Sequence, residues 1–481
     1  MKLKRTLAAI LAVSSVISLS ACSSGTTSTT QNTSSQEESS ESSIDDDIRN
    51  PVDVNDLELS GLVEAEDIEP AELTYLGNYN ITTAGDVKPA YKYFEENYGC
   101  TIKCKIVSSS AISERLTTMI SSGESPDLID YAENVFPLMM SKAMLTPLED
   151  YMDMSAPQWA GLESYINKYV WGGHNYYYPW SYNVSPIFLM YNRGLFEELH
   201  IDDPKELYDE GKWDWDALKR CLQQFKDSQE GREGIYGYTA TAPFDSTGVP
   251  LIEINEDGML QSNLVDPNIE RAANFLQDLK REGLALYPEG GYQNVDEAPL
   301  VEGLSAFQAM GEWKFAGYAQ RMQDDPSQNY FLVPWPKDPS ADEYYIGMST
   351  FGYMVPAGAE HVQQAAVFIN CCRLSKTDEA LVETTKDSIM KDKGYNEEQY
   401  EFILGFQQVQ NFNPVIDEPY GMDDTTATII RQMIDNVIFQ GDDETLNSKS
   451  WTQMREENRN AIDAQVAYYN DLITNSNGVA S

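Results

Sequence analysis

The sequence contains few histidines and few basic residues. Only three of its 481 residues are histidine, at positions far apart in the chain, His174, His200 and His361. This scarcity argues against a histidine-based metal site and against most histidine-dependent catalysis. Lysine and arginine together number 33 against 77 aspartates and glutamates, which gives a formal net charge of −44. Because phosphate backbones and anionic lipid surfaces repel such a chain, nucleic acid and the lipid headgroups are poor partners for its folded part.

Cysteine is also scarce, and its spacing does not suggest a disulfide framework. Five of the six cysteines follow residue 22, which is an odd number. Cys100 and Cys104 alternate with Ile102 in a strand pattern, where four residues span about 13 Å, too far for a disulfide. A vicinal disulfide between Cys371 and Cys372 stays open. We expect no structural disulfide.

Sequence signatures of enzymes are missing. The chain has no Gly-x-x-x-x-Gly-Lys-Ser/Thr phosphate loop and no Gly-x-Ser-x-Gly nucleophile elbow. The acidic segment that begins at Glu253 has Leu264 at the twelfth position, where a calcium loop needs glutamate. Asp214 and Asp216 fit a helix start better than a pair of glycosidase carboxylates. The expected function is therefore binding, with no catalysis, cofactor or metal.

The N-terminus has the pattern of an export signal. Lys2, Lys4 and Arg5 precede an apolar run over residues 7–19, which is too short to span a bilayer stably. The run ends in Leu-Ser-Ala-Cys at residues 19–22 and resembles the lipobox of bacterial lipoproteins. That resemblance implies cleavage of a signal peptide over 1–21 and a diacylglyceryl group on Cys22. An ordinary secretory peptide with an incidental cysteine is the alternative.

A polar segment follows the lipobox. Residues 22–70 are rich in serine, threonine and acidic side chains and have few apolar residues to bury. We predict an unfolded acidic tether that holds the folded part away from the membrane. The anchor and the lack of expected disulfides favour the outer leaflet of a Gram-positive cell membrane, outside the cytoplasm.

From residue 71 onward, strand and helix patterns alternate. Strand patterns cover 73–76 and 101–107 and begin again at Pro126, and amphipathic helix patterns separate them. This order predicts an α/β fold with a doubly wound parallel sheet. Ligands of such sheets bind beyond the carboxyl ends of the strands, here at 77–80 and 130–134.

Five segments, in this order, then resemble one family. They are residues 122–127 (Ser-Gly-Glu-Ser-Pro-Asp), 189–196 (Leu-Met-Tyr-Asn-Arg-Gly-Leu-Phe), 213–216 (Trp-Asp-Trp-Asp), 306–313 (Ala-Phe-Gln-Ala-Met-Gly-Glu-Trp) and 353–356 (Tyr-Met-Val-Pro). Together they resemble the extracellular solute-binding proteins of carbohydrate ABC importers, the family that includes maltose-binding protein. Two features depart from it: His200 stands where the family often has glycine, and the region 390–425 could not be matched to the family.

The resemblance implies a two-lobed periplasmic-binding-protein-like fold of class II, with the ligand in a cleft between lobes that crossing strands join. One lobe would hold 71–182 and 337–415, and the other 186–333 and 416–481. It also implies hinge closure around a sugar or oligosaccharide, a monomeric protein, and delivery to the permease subunits of an ABC transporter.

Sugars suit aromatic platforms and planar amide or carboxylate partners. The strand ends and the family positions supply the candidate ligand-binding residues: Asn78, Tyr79, Asn80, Tyr131, Glu133, Asn134, Trp180, Trp313, Trp335, Ser349 and Phe351. Trp180 and Trp335 lie in the predicted crossings, where hinge packing is the alternative role, and Asn78 to Asn80 could be only an Asn-rich turn.

Three other functions fit parts of the sequence. The acidity permits the same scaffold to bind a polyamine or a basic peptide. A sugar sensor or adhesion lipoprotein would need no transporter. A surface enzyme that cleaves glycans would turn over the sugar it binds.

Overall fold

Strands and helices alternate along the chain, which confirms the predicted α/β fold. The computed structural model describes residues 62–83, 87–108, 111–130, 138–167, 170–185, 187–239, 241–286, 295–406, 412–416, 424–438 and 449–479. The strands of these ranges are, in chain order, β1 (Glu72–Gly77), β2 (Thr101–Ile106), β3 (Leu128–Asp130), β4 (Val170–Trp171), β5 (His174–Asn175), β6 (Tyr178–Val184), β7 (Phe188–Asn192), β8 (Glu233–Gly237), β9 (Ile252–Ile254), β10 (Leu260–Ser262), β11 (Ala285–Leu286), β12 (Ser305–Met310), β13 (Tyr330–Pro334), β14 (Tyr345–Met354) and β15 (Asn413–Val415).

The helices of the same ranges pack around the strands. They are α1 (Lys88–Tyr98), α2 (Ile112–Ser122), α3 (Glu163–Ile166), α4 (Arg193–Glu198), α5 (Pro204–Asp209), α6 (Trp215–Ser228), α7 (Ala242–Asp245), α8 (Pro267–Arg281), α9 (Ala298–Val301), α10 (Phe315–Asp324), α11 (Val362–Leu374), α12 (Glu379–Lys393), α13 (Glu397–Gly405), α14 (Asp424–Ile438) and α15 (Trp451–Val479), with short 3₁₀ helices at Ala65–Asp67, Pro157–Trp159 and Glu312–Lys314. Among these described helices, none is both long and apolar enough to cross a membrane.

The first sheet has the order β15-β14-β3-β1-β2, and β6 also pairs with β14. Strands β1, β2 and β3 are parallel, as predicted, whereas β14 runs antiparallel to β3. The buried carboxylate of Asp127 ties this sheet to α11, since it accepts hydrogen bonds from the backbone N–H groups of Thr74 (2.7 Å) and His361 (3.0 Å). The Pro-Asp pair at 126–127 therefore has a structural role.

The second sheet has the order β11-β8-β12-β7-β13. Strands β8, β11 and β12 are parallel, and β7 is antiparallel to both β12 and β13. Helices α6 and α8 bury amphipathic faces beside it, through residues such as Leu222 and Leu276. The predicted turn at Asp257-Gly258 joins β9 to β10 as an antiparallel hairpin.

Two crossings connect the sheets at their carboxyl edges. Phe188, which begins β7, pairs with Met310 and Pro334, the last residues of β12 and β13. In the first sheet Val184, which ends β6, pairs with Met348 of β14, beyond the point where Tyr353 pairs with Asp130. Because both crossings leave each sheet at its carboxyl edge, the carboxyl edges of the two sheets face each other.

The first crossing contains a residue with a left-handed backbone. Ser185 has a φ of 63° and is buried. Its N–H donates to the carbonyl of Gly347 (2.8 Å) and its hydroxyl to the carbonyl of Ile187 (2.8 Å). A non-glycine residue adopts this conformation only where its surroundings hold it there. The crossing between β6 and β7 therefore has a defined geometry.

The end of the predicted tether is corrected by the structure. Residues 62–70 pack on the first lobe: Ile68 is buried, and the hydroxyl of Tyr98 donates to the carbonyl of Val63 (2.8 Å). Gln364 likewise donates to the carbonyl of Glu69 (2.9 Å). Apolar side chains return to the sequence before residue 71, and burying them orders the backbone beside them. Residues 1–61, with the predicted signal peptide and Cys22, lie outside the described residues.

The described part of the region 390–425, which the sequence alone did not match to the family, contacts both sheets. Helix α13 packs against the second sheet, where Phe402 contacts Phe331 with ring centroids 5.4 Å apart. The chain then returns to the first sheet as β15, which pairs in parallel with β14. The sequence assigned residues 393–406 to the first lobe, but their contacts are with the second sheet.

The departure at His200 has a backbone cause. His200 follows the last turn of α4 with a φ of 56°, the left-handed region that glycine adopts without strain. The N–H of Ile201 donates to the carbonyl of Phe196 (2.9 Å), as in a Schellman motif. The conformation that favours glycine here is thus kept with a histidine.

We predict that Gly347→Ala destabilises the protein where the second lobe meets the crossing. A Cβ at Gly347 would lie 2.3 Å from Oδ2 of Asp245, a buried side chain of α7 that also accepts a hydrogen bond from Thr241 (2.8 Å). Relieving such an overlap costs roughly 1–3 kcal/mol. Thermal unfolding should show a lower midpoint, whereas Gly405→Ala, where a Cβ meets open space, should not lower it.

Candidate functional site

The carboxyl edge of the first sheet carries a cluster of tyrosines around one carboxylate. The hydroxyl of Tyr75 donates to Oδ2 of Asp130, the last residue of β3, at 2.5 Å. The ring of Tyr75 also meets those of Tyr79 and Tyr353 edge to face, with centroids 6.3 and 6.1 Å apart. The cluster thus offers aromatic faces, hydroxyl groups and one carboxylate at the edge where the sequence predicted a ligand.

Burial perturbs the acid at the centre of this cluster. It raises the pKa of Asp130 to about 6, and the hydrogen bond from Tyr75 only partly opposes this effect. Burial, and next the charge of Asp130, raise the pKa of Tyr75 well above its ordinary value, so its hydroxyl remains a donor. An ionised carboxylate that is largely shielded from water at a strand end is a strong hydrogen-bond acceptor for hydroxyl groups of a ligand.

The loop after β1 is exposed, but its side chains differ in whether they are available to contact a ligand. Tyr79 is 40% exposed. The amide oxygen of Asn80 accepts hydrogen bonds from the N–H (3.0 Å) and the hydroxyl (2.8 Å) of Thr82. Asn78 is also exposed. Asn80 therefore shapes the turn, and Tyr79 has the ring surface for a ligand.

Ser349 and Phe351 lie on β14, on its part beyond the carboxyl end of β3. Phe351 is 48% exposed and Ser349 is partly buried. The register between β14 and β6 shifts at Phe351 and Gly352, and the ring of Tyr177 fills the place that a side chain at Gly352 would need. Such an irregularity re-aims side chains next to a sheet edge.

Trp313 lies at the carboxyl edge of the second sheet. It follows β12 directly, in the 3₁₀ helix Glu312–Lys314, and is 55% exposed, the highest value among the exposed large apolar residues of the described chain. An exposed indole ring at a sheet edge offers a flat, amphipathic face of the kind on which a ligand ring can stack.

The two crossing tryptophans are buried. Trp180 stacks on Tyr353 with centroids 6.0 Å apart, and the ammonium group of Lys376 lies 5.3 Å from its ring. Trp335 is 2% exposed in a core cluster with residues such as Trp213, and its indole N–H has no hydrogen-bond partner within the described part of the chain. Both positions match the packing role that was the alternative for them.

The sequence reasoning missed several residues at the two edges. Asp130 and Tyr75 were not among its candidates, although Asp130 ends a predicted strand. In the second lobe, the buried hydroxyl of Thr239, two residues after β8, has no hydrogen-bond partner among the described residues. The rule that ligands bind at carboxyl ends of strands would have pointed to Asp130 and Thr239. No signal in the sequence brings Tyr75 to Asp130.

Other candidates cannot be placed. Tyr131, Glu133 and Asn134 lie outside the described residues. Within the described ranges, no group of three or more histidine, cysteine or acidic side chains could hold a metal ion. Cys100, Cys104, Cys221, Cys371 and Cys372 are free thiols, and Cys104 is partly exposed.

We predict that Asp130→Asn stabilises the protein above pH 6. The ordinary pKa of aspartate is about 3.9, and the folded protein raises that of Asp130 to about 6. The folded state then binds the proton more tightly, so this group lowers stability as the pH rises from about 4 to about 6, and the loss persists above pH 6.

Asparagine cannot ionise, so the variant should exceed the wild type in unfolding free energy by about 1–3 kcal/mol at pH 7.5, with the difference vanishing near pH 4. Urea titrations across this pH range measure it. Asp257→Asn, in the exposed hairpin turn, is the matched control. A pH-independent difference would contradict the assignment.

Comparisons with known proteins agree with this geometry. The profile of the family described as bacterial extracellular solute-binding protein matches residues 90–401. A putative binding protein of Brucella abortus is 26% identical over 235 residues, 47% of this chain and 54% of that protein. The diacetylchitobiose binding protein DasA of Streptomyces coelicolor is 23% identical over 297 residues, 60% of this chain and 66% of that protein. The chain spans about half the length of the first of these relatives.

A solved structure shows the same fold. The ABC substrate-binding protein Lmo0181 of Listeria monocytogenes, in complex with cycloalternan, superposes with a TM-score of 0.61 at 15% identity and covers 83% of this chain and 100% of its own. Because the family profile matches well over half of the chain, this protein belongs to the bacterial extracellular solute-binding proteins and has their two-lobed fold.

Proposed function

We propose that this protein captures a sugar or oligosaccharide between its two lobes and delivers it to the permease of an ABC importer. The observation that carries the proposal is the exposed ring of Trp313 at the carboxyl edge of the second sheet. The opposite edge supplies Tyr79, Phe351 and the carboxylate of Asp130. Aromatic faces on both edges and a hydroxyl acceptor on one suit the two surfaces of a sugar ring.

Relatives support a saccharide as the ligand. DasA is named for diacetylchitobiose, and the Listeria protein is described in complex with cycloalternan. Both ligands are oligosaccharides, although they differ in size and linkage. The proposal for this chain is accordingly the class of ligand, with Tyr79, Trp313, Phe351 and Asp130 as its principal contacts. Tyr131, Glu133 and Asn134, which lie outside the described residues, stay proposed contacts on the basis of the sequence alone.

Hinge closure would select the ligand. Contacts from both edges exist together only when the lobes close, so a saccharide that makes them shifts the population toward the closed form. The crossing at Ser185 and the one that follows β13 are the segments that would bend. We retain the lobes as 71–182 with 337–415 and 186–333 with 416–481, except that residues 393–406 move with the second lobe.

We predict that Trp313→Ala weakens saccharide binding by about 10- to 100-fold, because it removes one central aromatic contact. The full-length protein, in a detergent without a sugar headgroup, is first screened by thermal shift against chitooligosaccharides, maltooligosaccharides, mannooligosaccharides, spermidine and a lysine-rich peptide. A ligand at about 100 times its Kd adds about 2.7 kcal/mol, which raises the midpoint by a few degrees. Isothermal titration then compares the variants.

Tyr91→Ala is the matched control, since Tyr91 lies on the helix α1 that covers the first sheet, away from the strand ends. It should leave the affinity unchanged. A shift with spermidine or the peptide alone would overturn the carbohydrate proposal and favour a cation as ligand. Breakdown of the bound saccharide would reveal an enzyme instead.

The same proposal includes a lipid anchor at Cys22. Two acyl chains on this residue would hold the protein stably at the membrane. We predict that Cys22→Ser, expressed in a Gram-positive host, moves the protein from the membrane fraction to the medium without changing its affinity for saccharide. Immunoblots of the two fractions measure this. Equal distribution of wild type and variant would contradict the anchor and leave the binding proposal standing.

A further inference from the structure

A segment of the region that the sequence alone did not match to the family reaches Glu312, the neighbour of Trp313 in the proposed site. We call residues 393–406 the strap. It leaves α12, whose neighbours include α1 of the first lobe and α10 of the second, and it ends before β15 of the first sheet. Its own side chains pack on the second sheet: Gln399 donates to the carbonyl of Tyr330 (3.4 Å), and Phe406 meets Phe188 with centroids 5.1 Å apart.

The first residues of the strap hold the neighbour of Trp313. The ammonium group of Lys393 lies 3.2 Å from each carboxylate oxygen of Glu312. The hydroxyl of Tyr395 donates to Oε1 of the same carboxylate. Gly394, with a φ of 75°, turns the chain between them, so that the side chains before and after it reach one carboxylate.

These contacts are shielded from solvent and are correspondingly strong. Tyr395 is buried and its ring packs against Phe315 with centroids 5.8 Å apart. Burial, and next the charge of Glu312, raise the pKa of Tyr395 well above its ordinary value, so its hydroxyl stays a donor. The side chain of Glu312 is 17% exposed. Hydrogen bonds to a charged group in such a place are about twice as strong as neutral ones.

The other neighbour of Trp313 is fixed as well. Lys314 pairs with Glu297 (3.4 Å), whose second oxygen lies 3.1 Å from Nε of Arg321. Trp313 is thus an exposed ring between two residues that are each held by an ion pair. Fixing a binding group before the ligand arrives reduces the ordering cost of binding.

We propose that Tyr395 and Lys393 of the strap are positioning residues, which hold Glu312 and thereby orient the ring of Trp313 for ligand. The inference rests on the proposed function, in which Trp313 contacts saccharide. The strap touches no ligand itself. It makes the second edge rigid, and because α12 before it contacts both lobes and β15 after it belongs to the first sheet, it also links this edge to the first lobe.

The test uses the full-length protein in a detergent without a sugar headgroup, with Tyr395→Phe, Lys393→Met and Glu312→Gln. Glu398→Gln is the matched control, since Glu398 lies on the strap and pairs with Arg193 (3.2 Å) away from Glu312. Hydrogen exchange of the ligand-free protein should be faster by about tenfold in peptides that cover 311–316 for the three variants. The control should match the wild type there.

Isothermal titration with N,N′-diacetylchitobiose and maltotriose supplies the readout that a merely structural role would not change. Each variant should weaken binding by about three- to tenfold in the wild-type background. In the Trp313→Ala background the same changes should have no further effect, because the ring they orient is gone.

If the three variants exchange over 311–316 at the wild-type rate, the positioning role is overturned, whichever saccharide the protein binds. Additive losses of affinity, or faster exchange with undiminished affinity, would overturn it too. If neither saccharide binds the wild type, the proposed choice of ligand fails, and the exchange data alone decide whether the strap holds the Trp313 segment.

Discussion

The pairing of β6 with β14 is the constraint on which the rest of the structure depends. Both strands belong to the first sheet, yet each is continuous with a crossing to the second. The hydrogen bond from Ser185 to Gly347 (2.8 Å) joins them where they leave the sheet. Since β7 and β13 begin and end at the carboxyl edge of the second sheet, this pairing makes the two carboxyl edges face each other. The described contacts proposed for the ligand, Tyr79, Asp130, Phe351 and Trp313, lie at these edges.

The two edges differ in how their groups are held. On the first, the carboxylate of Asp130 is largely shielded from water and accepts a hydrogen bond from Tyr75. This burial raises the free energy of the ionised carboxylate in the ligand-free protein. On the second, Trp313 is exposed while its neighbours are fixed by ion pairs. Under the proposed function, a ligand hydroxyl would supply hydrogen bonds to the carboxylate at the first edge, and the second edge would lose little freedom when a sugar ring stacks on Trp313.

Much of the fold could be predicted because it depends on local patterns. The alternation around Leu73 and Ile102 and the helix face through Ala90 and Phe94 locate β1, α1 and β2 to within a residue or two. The candidate site was harder. Trp313 and Phe351 are exposed at sheet edges, but Trp180 and Trp335 are buried, since an aromatic residue in a crossing can face a core as readily as a cleft.

The sequence by itself determined the class of the protein: its acidity, its lack of catalytic motifs, its alternating strands and helices, and the ordered segments that mark a solute-binding family. Only the tertiary structure decided which side chains act together. Tyr75 meets Asp130 across 55 residues, and Tyr395 meets Glu312 across 83. Such contacts depend on the register of strands and the path of the strap, which are set by packing over the whole chain and leave no local pattern to read.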